Sequence, residues 1–154
     1  MQLDLERVAK AERVPLRVPE GSLEDFVKFL TKANTVGACR LIIAVDKEAP
    51  EKTRTVTRAL FSRMWTEHCN VFTDEELGKV LTRSGLPSSL LSRIGDDDVK
   101  KQLFANTDEA AASGSYGVPW MVVSEEDGSG SQVFFGSDRF GHISQAFGWK
   151  HCEA

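Results

Sequence analysis

The chain has 154 residues, 41% of them hydrophobic and 27% charged, with a formal net charge of -4 and a pI near 5.4. That length suits one domain, or a domain with an inserted lobe, and the apolar content is too high for a disordered chain. Scattered lysines and arginines in an acidic chain offer no electrostatic footprint for nucleic acid or an anionic membrane, and no apolar run has the length of a spanning helix.

In chain order, MQLDLERVAK mixes acids and bases, lacks a signal-peptide core and carries two acidic residues, which argues against an ordinary transit peptide. Residues 14–19, VPLRVP, could be extended, but two prolines disfavour a central strand. Ser22 with Asp25 three residues on resembles a capping box, and Phe26, Phe29 and Leu30 then share one helix face. Thr35 caps a second predicted helix, in which Ala38, Leu41, Ile42 and Val45 keep i, i+3, i+4, i+7 spacing. Pro50 suits the first turn of a long segment reaching about His68, with Val56, Leu60, Phe61, Met64 and Trp65 as its apolar stripe. Phe61 and Trp65 are assigned to the core. Thr73 and Glu76 form another capping-box pair, and Gly85 is a helix stop. Shorter helices are expected over 89–94 and 97–105, the second opened by the solvated acids Asp96, Asp97 and Asp98. All of this reads as an all-helical lobe.

From Tyr116 the period changes. WMVV and QVFF flank the turn-rich EEDGSGS, which predicts an antiparallel hairpin. Phe140, Ile143, Ala146, Phe147 and Trp149 then mark a final helix, so the tail is β-β-α. A lone hairpin with one helix is a poor unit, and the sequence looks as if part of a sheet is missing.

Two stretches of this tail carry candidate chemistry. In Gly117-Val118-Pro119, the proline is either a plain strand start or part of a cis bond, which local chemistry alone yields in about one X–Pro bond in twenty. A cis bond would turn the Val118 N–H and C=O toward an extended peptide ligand. In FGSDR, Ser137 is a natural N-cap, the helix start would accept a carboxylate, and Asp138 could pair with an ammonium group. Locally, simple capping explains Ser137 and Asp138 as well; a γ-glutamyl group on a short peptide would suit both stretches.

Other candidates read more plainly. Cys39, Cys69 and Cys152 are odd in number and widely spaced, with no CxxC, which points to a reducing compartment and away from dithiol chemistry. His68-Cys69 and His151-Cys152 lack metal-ligand spacing, and no metal is expected. His142 reads as a surface residue and Tyr116 as a packing one.

GSYGVPWMVV followed by QVFFGSDR resembles the C-terminal half of kappa-class glutathione transferases, which group with 2-hydroxychromene-2-carboxylate isomerases and, more distantly, DsbA-like oxidoreductases. ACRLIIAVDKEAPEKTRTVTRALFSRMW and VKKQLFANTDEAAASGSYGVP are similar to the family's helical lobe and to its approach to the cis-proline. The resemblance implies an α/β chain: an incomplete thioredoxin-like fold, its C-terminal β-β-α half joined to a large all-helical insertion lobe. The divisions are then an approach segment at 1–21, the helical lobe at 22–112 and the thioredoxin-like half at 113–154. It also implies glutathione as co-substrate, with Val118, Pro119, Ser137 and Asp138 as its binding residues.

The family's Ser-Pro-Tyr turn, whose serine stabilises the glutathione thiolate, has no counterpart here; Ser62, Ser84, Ser88, Ser89 and Ser92 all fall in helical contexts. No catalytic residue is therefore assigned, and the chain is expected to be a truncated, kappa-like transferase. The alternatives are a glutathione-dependent isomerase relative and an inactive interaction or regulatory module. Expected partners are a small thiol peptide and, through an open sheet edge, a second copy or a full-length relative. The resemblance implies a mitochondrial or peroxisomal location, although no targeting signal is seen; a cytoplasmic one stays open as the alternative.

Overall fold

The structure is a computed structural model and describes residues 2–11, 13–15, 24, 28, 34–128 and 130–149, without the side chains of 2–5. The chain divides into two compact units, residues 1–104 and 105–154. The first is helical: α1 is Gln2–Ala11, α2 Val36–Glu48, α3 Thr53–Trp65 and α4 Asp74–Arg83, with 3-10 turns at Pro50–Lys52 and Ser88–Gly95. Helix α5, Asp97–Ala112, crosses the division.

Local chemistry accounts for the helix starts. Thr73 Oγ1 accepts the Glu76 N–H at 3.4 Å, as the capping pair predicts. At α2 the expected Thr35 cap gives way to its neighbour: Thr35 makes no side-chain bond, and Asn34 Oδ1 accepts the Val36 N–H at 3.1 Å. The expected helix at 89–94 is a 3-10 segment, and that at 97–105 runs on to Ala112 through a stretch free of glycine and proline. Ser22, Asp25, Phe26, Phe29 and Leu30 lie outside the described residues, as do residues 16–19 of VPLRVP. Glu24 and Lys28 are helical and form an ion pair at 2.8 Å.

Helices α2, α3 and α4 close on Leu41, Val45, Val56, Leu77, Val80 and Leu81, all buried. Each such side chain contributes about 1.5–3 kcal/mol on burial. Ile43 and Ala44, on another face of α2, pack with Val99 of α5. The assignment of Phe61 and Trp65 to the core is corrected: Phe61 is 61% exposed and Trp65 half-buried, while Arg63 is buried. At about 100° per residue, Arg63 falls close to the line of Val56 and Leu60, whereas Phe61 swings more than a quarter turn from Leu60. Glu76 on α4 makes that position tenable for a cation, accepting from both Nε and Nη2 of Arg63.

The second unit holds β1, Trp120–Ser124, antiparallel to β2, Ser131–Phe135; a 3-10 turn, Ser137–Arg139; and α6, Phe140–Ala146. Trp120 pairs with Phe135 and Ser124 with Ser131. Met121, Val123 and Phe134 thus share one face, and Phe134 meets the ring of Phe147, just after α6, at 6.4 Å. Trp120, Val122, Val133 and Phe135 share the other, where Val122 and Val133 are exposed. Ile143 alone of the expected α6 stripe is fully buried; Phe140 and Trp149 are exposed, the latter beyond the helix end. Ser137 is not a helix N-cap: it opens the 3-10 turn without a side-chain capping bond, and Arg139 takes the cap position of α6.

Candidate functional site

Hairpin register joins the two stretches that sequence singled out. One step beyond the Trp120–Phe135 pair, the Gly136 N–H donates to the Pro119 carbonyl at 3.1 Å. Residues 117–119 and 136–138 therefore leave the same end of the hairpin side by side. The Val118–Pro119 bond is cis, and Val118, Pro119, Ser137 and Asp138 are all exposed, Val118 at 87%.

The approach to Val118 is held from below. The Trp120 indole donates to Ser113 Oγ at 2.9 Å, and that hydroxyl donates to the Ala110 carbonyl at 2.7 Å, tying β1 to the last turn of α5. Ser115 Oγ donates to the Gly117 carbonyl at 3.3 Å. The Tyr116 ring meets Trp120 edge-on at 5.4 Å and Phe135 at 4.7 Å, so Tyr116 packs yet remains exposed. Gly117 lies flat on Phe135: a Cβ there would sit 2.7 Å from Phe135 Cε2.

The opposite strand turns at Gly136, whose φ of 107° is open to glycine. Its carbonyl accepts the Arg139 N–H at 3.2 Å, closing the turn that carries Ser137 and Asp138. Asp138 pairs with Arg139 at 3.4 Å, both side chains exposed, Asp138 the more so. Such exposed pairs contribute little, so the carboxylate is free to exchange Arg139 for a ligand cation. Together these groups offer an exposed peptide edge, a hydroxyl and a carboxylate within one short surface.

Among the other described residues, Cys39 and the charged groups of the helical unit read as structural. Burial pushes the Cys39 thiol up, partly offset by a backbone hydrogen bond, which suits a packed thiol rather than a nucleophile. A depression of about 420 Å³ on the helical unit is lined by Arg63, Lys79 and Arg83. Its cations pair with Glu67, Glu75 and Glu76, which leaves little net charge for a ligand. Among the described residues there is no group of three or more histidine, cysteine or acidic side chains placed to hold a metal.

What sequence reasoning missed here is Gly136 as the link between the two stretches, and the Trp120–Ser113 tie. Glycine before SDR and the indole after the proline were visible; their partners were not.

Residues 1–148 match the model of the DsbA-like thioredoxin domain, and the chain belongs to that family. Within it, the chain is similar to the glutathione S-transferase kappa 1 of Caenorhabditis elegans, 32% identical over 142 residues, covering 91% of this chain and 61% of that protein. It is 27% identical over 154 residues to the Homo sapiens glutathione S-transferase kappa 1, covering 97% and 66%. The chain thus spans about three-fifths to two-thirds of the length of these relatives. A putative protein disulfide isomerase from Nitrosomonas europaea superposes with a TM-score of 0.63 at 24% identity, over 72% of this chain and 54% of that one, and shares the fold.

Proposed function

We propose that the Val118–Pro119 end of the hairpin binds glutathione and that the protein serves glutathione conjugation of the kappa type. The observation that supports this reading is the Gly136–Pro119 hydrogen bond, which joins the residue after Val118 to the residue before Ser137. Glutathione has matching parts: a peptide backbone for the Val118 N–H and C=O, an α-carboxylate for the Ser137 hydroxyl, and an α-ammonium for Asp138. The likeness to kappa-class transferases over nine-tenths of the chain supports the same ligand. In this reading the hairpin and α6 are the C-terminal half of a thioredoxin fold, and the helices before them its inserted lobe. The glutathione thiolate would form a C–S bond to the electrophilic carbon as a leaving group departs from that carbon with its bonding pair, or as a double bond there opens and takes up a proton. No residue of this chain is assigned to activate that thiolate, and an isomerase using the same site would differ in the pocket for the second substrate.

Isothermal titration of glutathione into the chain tests this, with Asp138→Ala as control. Saturable heat weakened about tenfold or more by the substitution is expected, the loss fitting a charged hydrogen-bonded contact. A folded chain that produces no heat, or binding indifferent to Asp138→Ala, contradicts the site.

A second reading, a pairing module, is favoured by the outer hairpin face, where Val122 is 53% and Val133 48% exposed.

A further inference from the structure

We infer that Gly136 is the positioning residue of the site, coupling its two halves and setting the Asp138 carboxylate; this deepens the glutathione reading and rests on it. Three observations meet at this residue. Its N–H holds the Pro119 carbonyl at 3.1 Å, fixing the strand end that presents Val118. Its φ of 107° and ψ of 142° turn β2 directly into the Ser137–Arg139 turn, a conformation costly for any residue with a side chain. A Cβ added at Gly136 would lie 2.5 Å from Asp138 Oδ1, with Asp138 Cγ at 3.7 Å and Arg139 Cγ at 3.9 Å. The carboxylate of Asp138 folds back into the space that the missing side chain leaves.

The nearest obstacle is the far end of a flexible side chain, not backbone. A methyl group at Gly136 therefore acts first on the ligand-facing carboxylate, by driving Asp138 off its position. Two effects are thus superposed, backbone strain and carboxylate displacement, and they can be separated. Gly128 provides the control. It also has a positive φ, 75°, but a Cβ there meets nothing within 4 Å. Gly128→Ala carries positive-φ strain without touching Asp138.

The experiment is a double-mutant cycle read by glutathione titration, using Gly136→Ala, Asp138→Ala, the double variant and Gly128→Ala, alongside the side-chain carboxyl ¹³C resonance of Asp138 without ligand. Gly136→Ala is expected to weaken glutathione binding about tenfold and to add little in the Asp138→Ala background. Gly128→Ala should lower thermal stability and leave affinity unchanged. The Asp138 resonance should move in Gly136→Ala and stay in place in Gly128→Ala. An unmoved resonance, or losses that add in the double variant, overturns the positioning role. A wild-type chain that binds no glutathione overturns the functional reading, while the resonance still decides whether Gly136 sets the carboxylate.

Discussion

Gly117 shows how one missing side chain organises the approach to the site. Its backbone rests on the Phe135 ring, which Tyr116 also meets at 4.7 Å, so strand and loop share one aromatic surface. Alanine at this position would place a methyl 2.7 Å from Phe135 Cε2. The ring or the loop must shift, and overpacking of this kind costs about 1–3 kcal/mol. Gly117→Ala should lower the melting temperature and disperse the Phe135 ring resonances; an unchanged spectrum would mean that the ring yields freely. The exposed Tyr116 hydroxyl needs no buried partner, so Tyr116→Phe should be nearly neutral in the same melt.

Between elements, the α3–α4 contact combines an apolar seam with a charged one. Leu60, Leu77 and Leu81 pack below, while Arg63, Glu67, Glu76, Lys79 and Arg83 interlink above. Hydrogen bonds from Lys79 and then Arg63 hold the Glu76 carboxyl below the usual carboxylate range. A carboxyl depressed on folding contributes stability that is present above its unfolded value, about 4.3, and is lost as pH falls through the folded one. Stability against urea should therefore decline below about pH 4. Glu76→Gln should be less stable at pH 7 and show a shallower decline in acid. Equal slopes for variant and wild type would remove Glu76 from the pH dependence. Arg63→Ala should destabilise more than Arg83→Ala, because only Arg63 is buried and its loss removes one of the two cations, Arg63 and Lys79, that pair with Glu76.

For the whole molecule, the unequal distribution of core between the two units matters most. The helical unit buries a contiguous set of leucines and valines, whereas the hairpin covers one face and leaves Trp120, Val122, Val133 and Phe135 on the other. A two-stranded sheet with apolar residues on both faces is marginal without further cover. If the pairing reading holds, the chain should sediment as a concentration-dependent dimer, and Val122→Lys should return it to monomer while leaving helical circular dichroism intact. A wild-type monomer at every concentration would withdraw that reading.

Much of this was legible in the residues alone. The helix at Asp74–Arg83, its Thr73 cap, the Ala38–Leu41–Val45 face and the β-β-α tail follow from local rules, because capping and periodicity act within a few residues. The motifs GVP and FGSDR likewise carried the family resemblance without any geometry. Packing settled the rest. Arg63 rather than Phe61 faces the α3 core because a charged partner on α4, 13 residues away, meets it there. The alignment of Pro119 with Gly136 depends on hairpin register, which a loop of several residues leaves open and cross-strand bonding fixes. Ser137 failed as a helix cap because Gly136 turns the chain early into a 3-10 turn, and that same turn folds the Asp138 carboxylate back against Gly136, whose N–H meets the Pro119 carbonyl.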